Sequence, residues 1–206
     1  MTLCRVSLIH SPIWSSVMNT ISSTLRNTGI AWGPVAKLFH WLGALLIFFL
    51  IAHGWWMTDL AARAGRLEQY GLHATVGYYL LLLIALRLVW RLGNAVPALP
   101  EELPRWRRAA ARSAHWLLYF LMFFVSISGW MVADTLRQPI EATLFGFIPV
   151  PHLLDASHRS FRALIEGTHA VSSYVLLALV VAHFAGALDH HFRQKNDVLR
   201  RMGWRR

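Results

Sequence analysis

Two histidines in one apolar run, His169 and His183, stand fourteen residues apart in THAVSSYVLLALVVAHFAGAL. On a helix that spacing is about 3.9 turns, so both rings face the same way within about 40° and lie about 21 Å apart along the axis. Two more, His40 in AKLFHWL and His73 in LHATVGYYL, sit in apolar runs of their own. An ionisable side chain inside a membrane-length apolar segment is expensive and usually functional. Imidazole is the commonest metal ligand. Rings stacked in this way can ligate two metals at two depths of one bilayer.

The elements that must position these rings are visible in the composition. Hydrophobic residues make up 56% of the 206-residue chain and charged residues 15%, where a soluble domain carries about 25% charged residues. The apolar residues gather in four blocks, Val35 to Thr58, Leu72 to Leu92, Ser113 to Ala133 and Thr168 to Leu188. Each is close to the ~20 residues that cross a hydrocarbon core. Helices of a soluble bundle would each show a polar face, and GLHATVGYYLLLLIALRLVW shows almost none. The expected fold is all-α, a four-helix transmembrane bundle with sequential helices as antiparallel neighbours.

Gly33-Pro34 opens the first helix, where proline suits the first turn. The second connection holds Pro97, Pro100 and Pro104 and cannot be a continuous helix. Helix three is expected to start near Ser113. The third connection runs from about Asp134 to Gly167, and its DASHRSFRALIEG stretch is expected to form a short amphipathic helix on the membrane surface. Residues 1–31 read as a poorly ordered extension, 32–203 as the membrane domain and 204–206 as a basic end. Met18 is an alternative start, and the first thirty residues do not read as a secretory signal.

The net charge is +10, and its placement reports topology. Fifteen of the twenty Lys and Arg residues lie before or in the first turn of helix one, around the second connection or in the tail. Four spans put those three regions on one side, which the positive-inside rule makes cytoplasmic. Both termini are then expected on the cytoplasmic side, and the basic excess suits contact with anionic lipid rather than nucleic acid.

Chain direction then sorts the four rings by depth. Helix one enters from the cytoplasm and helices two and four enter from outside. His40 and His183 share the inner level, and His73 and His169 the outer. Each pair can fill both axial positions of one haem iron, for which imidazole is a standard ligand. A bis-histidine haem has no open iron site and suits electron transfer more than oxygen activation. Gly77, one turn after His73, lets a flat macrocycle approach the backbone. Gly186 has a similar place beside His183. Arg87, fourteen residues after His73, points to the same face at inner depth, where a haem propionate would pair with it. Snorkelling to the interface is the plainer account of that arginine.

The remaining histidines take blander readings. His53, thirteen residues after His40, faces about 140° away and is expected at the interface. His115 is the rival ligand for the inner haem. His10, His152 and His158 are loop residues with no evident partners, and His190 and His191 suit surface or headgroup contact. The single cysteine, Cys4, rules out an intrachain disulfide and a thiolate cage. There is no Gly-rich phosphate loop, GxSxG or HExxH, so nothing binds a nicotinamide or flavin by itself. No residue is assigned a catalytic role.

At these residues the chain resembles the bacterial cytochrome b561 family. The matching pieces are AKLFHWL, LHATVGYYLLLLIALRLVWRL, THAVSSYVLLALVVAHFAGALDHHF and the tail KNDVLRRM, spanning about residues 32–203. The resemblance implies a four-helix di-haem cytochrome of the inner membrane. It implies His40, His73, His169 and His183 as haem ligands. It also implies quinone-linked electron transfer, with superoxide as outer donor and ubiquinone as acceptor in some members. Residues 1–31 have no counterpart in the family pattern.

Three functions follow as expectations. The first is a self-contained oxidoreductase carrying two haem b groups, reduced by a small donor such as superoxide and oxidised by quinone in a respiratory chain. Arg137, Arg159 and Arg162 would attract an anionic donor, although nearby acids balance them. The second is an anchor subunit linking a partner dehydrogenase or hydrogenase to the quinone pool. The third is a haem-free bundle that uses its histidines for protons.

Overall fold

The computed structural model describes residues 24–59 and 65–203. Four long helices carry the chain: α1 Pro34–Asp59, α2 Arg66–Leu92, α3 Arg105–Asp134 and α4 Arg162–Leu188. All four are long and apolar enough to cross a membrane. Large apolar side chains stand exposed along every one, among them Leu45, Val89, Phe120 and Val181. A water-facing surface does not carry so continuous an apolar coat, and a lipid-facing one requires it. Helix is the form a spanning segment must take, because lipid offers backbone N–H and C=O groups no partner.

The helices begin earlier than hydropathy alone suggests. α3 starts at Arg105, not near Ser113, and α4 at Arg162, not at Thr168. Backbone hydrogen bonding continues beyond the apolar core, where charged side chains meet water. The expected surface helix over 155–167 is corrected in the same way. Its first half is a tight turn, Ala156–Phe161, and its second half is the opening of α4.

α1 packs on α2, α2 on α3 and α3 on α4. The centre of the bundle is an apolar cluster of Ile47, Leu80, Ile84, Tyr119, Leu121, Met122 and Leu176. Ile84 is only 1% exposed. The cluster separates two ends, a basic end where α1 starts and α4 finishes, and a far end.

At the basic end the chain is tied together by polar contacts. Lys37 Nζ donates to the Gly203 carbonyl at 2.7 Å and Trp41 Nε1 to the Met202 carbonyl at 2.9 Å. Asn27 Nδ2 donates to the Ala95 carbonyl at 2.8 Å and Asn27 Oδ1 accepts from Gly33 N–H. Residues 24–33 therefore lie against the second connection. The rest of the extension with Met18, the basic end 204–206, and Arg63 fall outside the described residues.

At the far end the third connection forms a hairpin that the sequence reading did not anticipate. Thr143–Leu144 pairs with Ile148–Pro149. Three residues join the strands. Phe145 and Gly146 both take positive φ, 54° and 79°, in a turn closed by the Phe147 N–H donating to the Leu144 carbonyl at 3.2 Å, the sense of turn that matches strand twist. The Phe145 N–H donates to Tyr79 Oη at 2.8 Å, pinning the hairpin to α2.

Candidate functional site

The four spanning histidines meet in two pairs. His40 of α1 stands beside His183 of α4 with ring centroids 6.3 Å apart and planes at 69°. His73 of α2 stands beside His169 of α4 at the same 6.3 Å, with planes at 87°. The first pair lies at the basic end and the second at the far end.

The far pair is the more fully built. His169 Nδ1 lies 3.1 Å from the Val125 carbonyl of α3. A carbonyl only accepts, so Nδ1 carries the proton and Nε2 is left with a free lone pair. Ser128 Oγ, which donates to the same carbonyl at 2.9 Å, lies 3.2 Å from Nδ1. α3 can come this close because position 129 is glycine. A Cβ there would stand 2.9 Å from His169 Cε1. On the other side, a Cβ at Gly54 would meet His73 Cε1 at 3.4 Å. Gly54 and Gly129 were missed in the sequence, where only Gly77 and Gly186 were singled out. The available signal was a glycine at histidine depth on each facing helix.

Beside this pair is a cavity of about 410 Å³, lined by His73, His169, Gly77, Gly129, Tyr70 and residues from all four helices. Gly77 borders open space, with no described residue within 4 Å of an added Cβ. The same is true of Gly186. The volume lies in the usual range for cofactor sites, roughly 300–1,000 Å³. Leu136 and Ile140 of the third connection also line it.

That connection is held over the cavity by Asp134. Its carboxylate is almost wholly buried and accepts Leu153 N–H at 2.7 Å and Leu154 N–H at 3.1 Å. His152 Nδ1 stands 2.8 Å from the same carboxylate and Nε2 3.2 Å from Glu141. His152 lies in a loop, as the sequence implies, but it has partners there, Asp134 and Glu141. Its hydrogen bond to Asp134, with a second to Glu141, raises its pKa above the ordinary 6.5.

At the basic end, Arg87 Nη2 donates to His40 Nδ1 at 3.2 Å. Arg87 also lies over the Tyr119 ring, 5.5 Å from its centroid. It does not snorkel away. His115 comes within 5.3 Å of His183, ring to ring, and its Nδ1–H donates to the Ala111 carbonyl at 2.6 Å. The space beside Arg87 and His115 is small, about 20 Å³. His53, expected at the interface, is buried at 9% exposure and stands 5.8 Å from His73. The chain turns α1 so that this ring faces α2. His190 and His191 do not join either pair. His190 Nδ1 lies 2.9 Å from Asn196 Nδ2, and Asp189 beside it pairs with Arg107. His158 pairs with Asp155.

Among the described residues no group of three or more His, Cys, Asp or Glu side chains forms a metal cage. Two imidazoles can hold a metal only if its other donors come from elsewhere, as from a planar macrocycle. Such a group suits the far end: two rings with free lone pairs, an adjoining cavity, and glycine where its face would pass.

Comparison with known proteins adds a family. The prokaryotic cytochrome b561 family matches residues 31–205. The chain is 34% identical over 182 residues to cytochrome b561 homolog 2 of Escherichia coli (strain K12), covering 87% of this chain and 94% of that protein. It is 26% identical over 171 residues to cytochrome b561 homolog 1 of the same organism, covering 81% and 93%.

Proposed function

Because the chain belongs to the prokaryotic cytochrome b561 family, membrane b-type cytochromes that bind haem b and transfer electrons, we propose that it is a di-haem, quinone-linked oxidoreductase of the bacterial inner membrane. His40 and His183 hold one haem b at the cytoplasmic level. His73 and His169 hold the other at the outer level.

The equal separation of the two ring pairs carries this reading. A metal–imidazole bond is about 2.0 Å. A ring nitrogen lies roughly 1.1 Å from its centroid, so two imidazoles on opposite sides of one metal have centroids about 6.2 Å apart. Both pairs stand at 6.3 Å. His115, at 5.3 Å from His183, is too close for a metal to lie between them.

Bound haem supplies a one-electron couple between ferric and ferrous iron. The chain supplies orientation and exclusion of water. The Val125 carbonyl holds the His169 proton on Nδ1 and leaves Nε2 as the ring's acceptor. The Ile84 cluster keeps water from passing between the two levels. His40 Nδ1 accepts from Arg87, and a neutral imidazole in that tautomer has its proton on Nε2. Ligation through Nε2 would therefore require Arg87 to turn to another acceptor, and a haem propionate would suit its fork of donors.

A lipid-soluble quinone, ubiquinone or a relative, reaches the bundle sideways through its apolar faces. The donor is a small diffusing reductant at the outer face, for which superoxide is the candidate. Two superoxide ions would each yield one electron and leave as oxygen. Quinone would take both electrons and two protons to become quinol. A reduced-minus-oxidised spectrum of the purified chain, with pyridine haemochrome quantitation, tests the core of the proposal. Two low-spin b haems per chain are expected, and a haem-free chain expressed with ample haem would overturn it. Reduction by superoxide, followed by reoxidation with added quinone, tests donor and acceptor.

A further inference from the structure

Among the described residues, two buried ring nitrogens at the far end lack partners, and they belong to neighbouring rings: His53 Nδ1 and His73 Nδ1. The rings stand 5.8 Å apart with planes at 24°. The Nδ1 side of His73 faces α1 next to His53, since a Cβ at Gly54 would lie 3.4 Å from Cε1 and 3.9 Å from Nδ1.

The chemistry of the two atoms is complementary. His53 Nε2 lies 3.2 Å from Gln69 Oε1. An amide oxygen only accepts, so Nε2 carries the proton and Nδ1 is a bare acceptor. His73, holding iron through Nε2, has its proton on Nδ1 and is a bare donor. A buried acceptor without a donor is costly, and a metal-bound imidazole almost always passes its second N–H to an acceptor. An N–H···N bond of about 2.9 Å between imidazoles puts centroids roughly 5 Å apart. Closure needs the centroids to approach by about 1 Å and the stacked rings to turn edge to edge.

We infer that His53 is a positioning residue for the outer haem, accepting the Nδ1–H of His73 while Gln69 fixes its own tautomer. The inference rests on the ligand assignment proposed above. An accepted proton makes His73 a more electron-rich ligand, which favours ferric iron and lowers the potential of the outer centre. At the inner level the neighbour is a cation, Arg87, which favours the reduced state. The two levels are biased in opposite senses, and electrons entering at the outer face run downhill toward the cytoplasmic one.

The test is a redox titration of the full-length protein with low-spin electron paramagnetic resonance, comparing wild type, His53→Leu and His53→Asn. Asparagine keeps an acceptor near the Nδ1 position and leucine does not. The expected result is two haems per chain in all three. The leucine variant moves one midpoint upward with a change in its g values. That component is the one His73→Ala removes, and the other stays in place. The asparagine variant stays with wild type. An unmoved midpoint in His53→Leu overturns the inference and leaves the di-haem reading standing, as does loss of the outer haem in that variant or equal behaviour of both variants. A wild type without two haems overturns the ligand assignment first, and this inference with it.

Discussion

Gly129 of α3 faces the imidazole of His169 so closely that a Cβ at 129 would stand 2.9 Å from Cε1. The ring cannot yield freely, because its Nδ1–H is held by Val125 of the same helix. Gly129→Ala should therefore cost about 1–3 kcal/mol of stability, as overpacking does. It should also lower the occupancy of the outer haem. Gly77→Ala meets nothing within 4 Å and should leave the fold intact, whereas Gly77→Leu should reduce outer haem retention by filling the cavity. Thermal unfolding in detergent and the haem-to-protein ratio read both effects.

Substitution of either member of a ring pair should remove one haem and spare the other. His73→Ala or His169→Ala should halve the pyridine haemochrome value with loss of the outer component. His40→Ala or His183→Ala should halve it with loss of the inner one. His115→Ala should retain two haems. A His73→Ala protein still carrying two haems would refute the pairing.

Arg87 places a cation beside His40, the two joined at 3.2 Å. A nearby positive charge favours the reduced state of an iron centre. Arg87→Leu should lower the midpoint potential of the inner haem and weaken its retention, while the outer component stays fixed. Arg87→Lys should keep the charge effect but lose the bidentate geometry. Redox titration of both variants separates the two contributions.

His152 should make closure of the third connection depend on pH. Its folded pKa is raised by hydrogen bonds to Asp134 and Glu141. A raised pKa means that the contribution is complete below the ordinary value of 6.5 and is lost as pH climbs through the folded value. Hydrogen exchange at the Leu153 and Leu154 amides, both bonded to Asp134, should quicken across that window beyond the intrinsic base-catalysed rise. His152→Gln should show only the intrinsic slope. Asp134→Ala should quicken exchange at every pH.

Much of this site was legible in the chain. Four spans follow from the run of apolar residues, because bilayer thickness sets a length that one-dimensional hydropathy can report. The two levels follow from helix rise and chain direction: His169 and His183 fourteen residues apart, His40 and His73 on helices entering from opposite sides. Helix ends were less legible. Arg66, Arg105 and Arg162 are helical although polar, since hydropathy reports the lipid contact and not the backbone ladder.

What depends on how helices rotate and cross was decided only in three dimensions. Periodicity put His53 about 140° from His40 but could not say that this other face meets α2, where His53 lies beside His73. The close passages at Gly54 and Gly129 depend on interaxial distance, and glycines in an apolar run carry no mark of which neighbour they admit. Arg87 reaches His40 across forty-seven positions of sequence, and Asp134 is satisfied by amides nineteen and twenty residues on. Composition and spacing set which residues share a depth, because rise along a helix is local. Tertiary packing alone set which atoms touch, because contact between helices is a property of their mutual angle and distance.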